Sequence, residues 1–154
     1  MTKRVARTTE PVDPARSAQM AKVRGRDTKP EMRVRRALHA AGVRYRLHAK
    51  DLPGRPDIVL PSRRVAIFVH GCFWHRHPDP NCKLARLPKS RLDFWVPKLE
   101  ANRARDQLKE AALLDAGWTV RTIWECELDR DGLERFTREI AETPRVGRYR
   151  ARRR

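Results

Sequence analysis

DIVLPSRRVAIFVH, residues 57–70, sets two apolar runs of strand length on either side of a four-residue turn, PSRR. A run of this kind on each side of turn residues reads as a β-hairpin. With the turn at positions 61–64, Leu60 faces Val65 and, counting outward, Asp57 faces Phe68. His70 then shares their face of the sheet and becomes a diagonal neighbour of Asp57, with backbones roughly 7–8 Å apart. A slip of one residue would send one of the two to the opposite face.

Upstream of the hairpin, Thr28 and Glu31 have capping-box spacing and Pro30 suits a first turn, so a helix is expected from Asp27–Thr28. Val34, Leu38 and Ala41 would be its apolar stripe, and Gly42 its stop. Val43, Tyr45 and Leu47 alternate with polar residues as in a half-buried strand, and the turn-rich DLPGRP leads into the hairpin. Downstream, a long helix is expected from Pro97 to Ala116, ended by Gly117. WTVRTIW at 118–124 reads as a fourth strand, and a last helix carries Leu133, Phe136 and Ile140. The order helix, three strands, helix, strand, helix predicts an α/β fold with a mixed central sheet flanked by helices.

A chain of 154 residues fits one domain. Residues 1–16 read as a disordered basic arm, 17–143 as the folded domain, and 144–154, which hold the six arginines of RVGRYRARRR, as a disordered Arg-rich tail. The 36 Lys and Arg against 19 Asp and Glu leave a net charge of +17. Such a surplus points to an acidic polymer as partner, with nucleic acid first. No apolar run approaches the roughly 20 residues of a membrane span, and the N-terminal stretch lacks the apolar segment of a secretory signal. A cytoplasmic, monomeric protein is expected, associated with the nucleoid if bacterial, and with no membrane partner. Three cysteines cannot all pair internally, which makes metal binding the competing use.

VHGCFWHRHPDPNC, residues 69–82, holds two of those cysteines, three of the five histidines and two adjacent bulky aromatics. Cys72, His77 and Cys82 are spaced C-x4-H-x4-C, and the fourth strand could bring Cys126 alongside. Three thiolates and one imidazole would close a tetrahedral structural zinc site. Spacing alone leaves His75 and His77 as alternative ligands, and buried unligated cysteines as the plain alternative. Asp57, at the open end of its strand, suits Mg²⁺, which takes one or two protein carboxylates and keeps several waters. The plain alternative there is that Asp57 caps the GRPD turn and His70 is an ordinary strand-end histidine. Phe73 and Trp74 sit in the metal-held turn, where two adjacent rings cannot both face inward. Apolar wedges of this type unstack base steps, and a mismatched step opens at lower cost. Phe94, in LDFWVPK ahead of the long helix, reads as core.

Taken together, LPGRPDIV, IFVHGCFWHRH, LDFWVPKLEANRARD and GWTVRTIWEC resemble the very short patch repair (Vsr) DNA mismatch endonucleases, in order, from about Ser17 to Cys126. The resemblance implies a restriction-endonuclease-like fold with a structural Zn²⁺, a catalytic Mg²⁺, and nicking of double-stranded DNA on the 5′ side of the thymine in a T·G mismatch. It implies Asp57 and the backbone carbonyl of Val69 as Mg²⁺ ligands, His70 and Glu31 as holders of metal-associated water, and His75 as the general acid/base. It assigns Cys72, His77, Cys82 and Cys126 to zinc, which separates the two histidines. Phe73, Trp74 and Trp95 become the intercalating wedge, Met20 approaches from the opposite groove, and Lys98 and Asn102, four apart on one helix face, contact the mismatched pair. Mismatch-repair proteins are candidate partners. Two features differ from the family pattern: Val69 stands where relatives carry a hydroxyl residue, and the His77–Cys82 segment is longer. The alternatives are a non-catalytic zinc-stapled DNA-binding module and a related nicking endonuclease acting on other lesions or on foreign DNA.

Overall fold

The computed structural model describes residues 14–22 and 25–147. A short helix α1, Pro14–Ala21, begins inside the stretch expected to be a basic arm, most of which, like residues 148–154 of the tail, lies outside the described residues. The longer α2, Lys29–Ala40, starts where the capping residues place it. Thr28 Oγ1 accepts the Glu31 N–H at 3.4 Å. The return bond of the expected box lands one residue earlier, with the Asp27 N–H donating to Glu31 Oε2 at 3.0 Å. Val34 and Leu38 are buried, whereas Ala41, expected in the same stripe, is the exposed C-cap.

β1 is only Arg46–Leu47, shorter than the alternation from Val43 suggests. The Val43 N–H is taken by the Leu38 carbonyl as the helix closes, so the chain enters the sheet late. β2, Ile58–Leu60, and β3, Val65–His70, flank a 3-10 turn over Pro61–Arg63 and a left-handed Arg64 (φ 51°). Leu60 pairs with Val65, Val59 with Ala66 and Ile58 with Ile67, the register counted from the sequence. The next step outward sets Asp57 opposite Phe68.

α3, Leu92–Asp115, starts five residues before the expected Pro97, which sits inside it. Pro97 is the sixth residue of the helix, past the first four whose N–H groups have no intrahelical partner, so it leaves the Asp93 carbonyl without its usual intrahelical donor. The first-turn preference of proline is thus misleading here, and the start lies after the left-handed Arg91 (φ 55°). β4, Thr119–Trp124, runs parallel to β3, from Val65 opposite Thr119 to His70 opposite Trp124. α4, Arg130–Glu142, is capped by Asp129, which accepts the Gly132 N–H at 2.7 Å. The sheet order β1-β2-β3-β4, antiparallel except for the last pair, makes a mixed sheet with helices on both faces.

Alternation along β2 and β3 divides the core. Ile58, Leu60, Val65 and Ile67 pack with Val34 and Leu38 of α2 and Ile140 of α4. Val59, Ala66 and Phe68 pack on the other face with Leu113 and Trp118. By the same alternation Asp57 and His70 fall on the α3 face, at the end of the sheet away from the hairpin turn. No helix among the described residues is long and apolar enough to cross a membrane.

Candidate active site and metal centre

Where β2 begins and β3 ends, a cleft of about 800 Å³ opens between Glu31 of α2, Asp57 and His70 of the sheet, and Asp106 and Lys109 of α3. Asp57 is half-buried at its floor, and its Oδ2 accepts the Val69 N–H at 2.9 Å. Burial pushes the Asp57 carboxyl up to about 6, against the partial relief of that hydrogen bond. In a strand one residue's N–H and C=O point to the same edge, so the Val69 carbonyl faces Asp57 as well. A half-buried carboxyl beside a carbonyl is an oxygen donor set of the kind Mg²⁺ accepts, and a cation would offset the cost of ionising Asp57 in the cleft.

His70 is buried, and its ring stacks on His75 with centroids 3.9 Å apart and planes 2° from parallel. Burial, and then the neighbouring His75, lowers His70 to about 3, so His70 is neutral near pH 7. His75 Nδ1 lies 2.6 Å from Asp106 Oδ2. Burial pushes the Asp106 carboxyl up, but the His75 hydrogen bond and the charges of His75, His70 and Lys109 outweigh it and hold Asp106 below its ordinary range. An ionised Asp106 can only accept, so His75 donates from Nδ1 and turns Nε2 outward. Lys109 Nζ stands 3.7 Å from Asp106 Oδ1, and its stem lies against Gly54 of the DLPGRP turn, where a Cβ would fall 2.6 Å from Lys109 Cβ.

Asp106 escapes the sequence reading. The signal available was helical: Lys98, Asn102, Asp106 and Lys109 recur at i, i+4, i+8 and i+11, one face of α3. His48 escapes it too. Its Nε2 lies 3.2 Å from Oε1 of the buried Glu31, at the end of a two-residue strand with no pattern to mark it.

Cys72, His77, Cys82 and Cys126 each offer a ligand atom, all within 4.8 Å of one another. His77 Nε2 is 3.9 Å from Cys126 Sγ, and the Cys126 N–H donates to Cys72 Sγ at 3.4 Å. Burial pushes the Cys72 thiol up to about 12, so a thiolate there requires a cation. Three thiols and an imidazole fit Zn²⁺. His75 is directed to Asp106 instead.

Beyond this cluster, Phe73, Trp74 and Trp95 meet edge to face, with centroids 5.1 Å (Phe73–Trp74), 5.4 Å (Phe73–Trp95) and 6.0 Å (Trp74–Trp95) apart. Their exposure reverses one expectation. Trp95 is buried as the base of the group, and Phe94, expected in the core, is 43% exposed. Because α3 begins at Leu92, both residues are already helical, and the helix turns successive positions to different sides. Lys98 Nζ stands over Phe94, Trp95 and Trp74 at 5.3, 5.6 and 5.8 Å. Asn102 Nδ2 donates to the Trp74 carbonyl at 3.1 Å, and Arg105 donates to Asn102 Oδ1. Met20 lies on α1, its side chain outside the described residues.

A carboxyl, a stacked histidine pair and a His–Asp dyad in one cleft of a strongly basic chain are groups suited to hydrolysing a phosphodiester, and the relatives of this chain place it among the DNA endonucleases. The family model for the DNA mismatch endonuclease Vsr matches residues 10–82. The type II nicking enzyme V.XorIIP of Xanthomonas oryzae pv. oryzae is 59% identical over 124 residues, 80% of this chain and 89% of that protein. V.NmeAIP of Neisseria meningitidis serogroup A, also a type II nicking enzyme, is 42% identical over 132 residues, covering 82% and 92%. The DNA mismatch endonuclease Vsr of Escherichia coli K12 is 40% identical over 124 residues, covering 80% and 76%. This chain belongs to the Vsr family.

Proposed function

We propose that the chain nicks double-stranded DNA on the 5′ side of the thymine in a T·G mismatch, in a Mg²⁺-dependent step of very short patch repair, on a restriction-endonuclease-like fold. The observation that carries the reading is the 2.6 Å contact from Asp106 to His75, with His75 stacked on His70 beside Asp57. Asp57 and the Val69 carbonyl would hold Mg²⁺, and bound there the ion offsets phosphate charge and lowers the pKa of water. Asp106 fixes the His75 tautomer, leaving Nε2 to take a proton from the attacking water or give one to the leaving oxygen. Glu31 and His70, which line the cleft with Asp57, orient water there, and a neutral His70 can accept as well as donate. Cys72, His77, Cys82 and Cys126 would hold Zn²⁺, fastening the turn that carries Phe73, Trp74 and His75 so that wedge and proton carrier keep one spacing.

Phe73 and Trp74 would enter the duplex, with Trp95 as their support. Asn102, bonded to the Trp74 backbone, and Lys98, above the rings, stand beside the same step, and Met20 would reach it from the other groove. A T·G step is easier to unstack than a matched one, which gives the wedge its selectivity. Incubated with matched and T·G duplexes, the protein should nick only the second, 5′ to the thymine, and only with Mg²⁺. Equal cutting of both would refute the specificity. A second reading, nicking at another lesion or target, draws on the type II nicking enzymes among the relatives, and a panel of all mismatches separates the two.

A further inference from the structure

His48 is the histidine nearest the cleft that the mechanism above does not use, and it touches both sides of the site. Its backbone is left-handed at φ 47°, a conformation that a non-glycine residue keeps only where the surroundings hold it. Its N–H donates to the Asp57 carbonyl at 3.0 Å, extending the β1–β2 ladder by one bond. Its imidazole turns back to Glu31, 3.2 Å from Nε2 to Oε1, and 3.9 Å from Asp27 Oδ1. Nε2 is buried and, although it lies this close to the Glu31 carboxyl, completes no hydrogen bond among the described residues.

Glu31 is held from other directions as well. The Asp27 N–H donates to Oε2 at 3.0 Å, and Arg35 donates to Oε1 at 3.4 Å. Arg35 is committed chiefly to Asp27, at 2.5 Å. His48 Nε2 is the nearer nitrogen at Oε1, at 3.2 Å, but the hydrogen bond there is Arg35's. Asp27, Glu31 and His48 also form a set of potential metal ligands, but the Arg35 guanidinium already supplies their cation.

We infer that His48 is a positioning residue for the nicking reaction, its left-handed backbone bonded to Asp57 and its imidazole packed against the Glu31 carboxyl with the buried Nε2 facing it, so that one residue sets the distance between the two. The inference rests on the role given to Glu31 above.

The test is single-turnover nicking of a T·G duplex at saturating zinc-loaded, full-length protein, with duplex affinity and Tm measured in parallel. His48→Asn tolerates the left-handed backbone but is too short to reach Glu31, while His48→Gln places a donor near the position of Nε2. His48→Asn should slow nicking about 10–100-fold, the usual cost of losing an outer-shell partner, with duplex Kd within about twofold of wild type. His48→Gln should recover most of the rate, and His48→Asn should add nothing in a Glu31→Gln background. Wild-type nicking by His48→Asn beside an impaired Glu31→Gln would overturn the inference alone, as would equal loss in the Asn and Gln variants or additivity in the double variant. Wild-type nicking by Glu31→Gln would instead remove the role assigned to Glu31, and the inference with it. Mn²⁺ titration of Asp57→Ala, followed by electron paramagnetic resonance, covers the metal reading. A tight Mn²⁺ lost on Asp27→Asn would replace positioning by a second cation site.

Discussion

Replacing Asp57 by Asn should stabilise the Mg²⁺-free protein at pH 8 while abolishing its nicking. Burial raises the Asp57 carboxyl from its ordinary 3.8 to about 6. That difference, roughly two pKa units at about 1.4 kcal/mol each, puts a ceiling of about 3 kcal/mol on the cost of ionising it in the fold. Since Asp57 is only half-buried, water at the cleft mouth screens part of this, and about 1–2 kcal/mol is the working value. A carboxyl whose folded pKa is raised contributes stability that is whole below 3.8 and lost as pH rises through about 6. Asn keeps an oxygen for the Val69 N–H without the charge. In Mg²⁺-free buffer the Asn variant should therefore melt several degrees higher than wild type at pH 8, at about 2–4 °C per kcal/mol, and the gap should close towards pH 4. His70 is common to both proteins, so its own titration cancels. Adding Mg²⁺ at pH 8 should raise the wild-type Tm and leave the variant unmoved. A variant no more stable than wild type at pH 8, or a gap that widens on acidification, would refute the argument that Asp57 is held at a cost to stability.

Metal analysis of the purified protein should find about one equivalent of zinc, and Cys82→Ala should lose it together with the fixed fold of the 71–82 turn, seen as lost protection in hydrogen exchange. Asp106→Asn should lower the single-turnover nicking rate roughly 100-fold or more with duplex affinity kept, because His75 would no longer be fixed in one tautomer. Gly54→Ala should lower the Tm, by about 1 kcal/mol or more of stability, since φ is +71° there and the new Cβ meets Lys109; an unchanged Tm would mean that α3 yields at that contact. Trp74→Ala should weaken binding to the T·G duplex by about 1–3 kcal/mol, the worth of one stacked ring, and leave binding to matched duplex nearly unchanged, as gel-shift titrations of the two duplexes would show.

Local chemistry made much of this protein legible in one dimension. Thr28 and Pro30 announced α2, the turn at 61–64 set the hairpin register, and strand alternation then put Asp57 and His70 on one face. The three cysteines lie close enough to share one imidazole, a set legible from counting because few residue types bind zinc. In each case the decisive neighbours are a few positions apart, or are forced together by a tight turn.

Tertiary structure decided the rest. Asp106 reaches His75 across 31 positions because α3 packs on the face of the sheet that carries Phe68 and His70; helical spacing names the face but not what it meets. His48 reaches Glu31 because β1 ends in a left-handed turn beside Asp57, which no periodicity encodes. Trp95 and Phe94 exchanged inside and outside because α3 starts five residues before Pro97, and a helical step turns neighbouring side chains by about 100°. The sequence by itself determined that Asp57 and His70 share one face at one sheet edge, and that three cysteines and a histidine lie near it, since those follow from period, turn geometry and spacing. Which partners orient them was decided by the packing of α2 and α3 on the two sides of that edge, since contacts between distant segments depend on where whole elements come to rest.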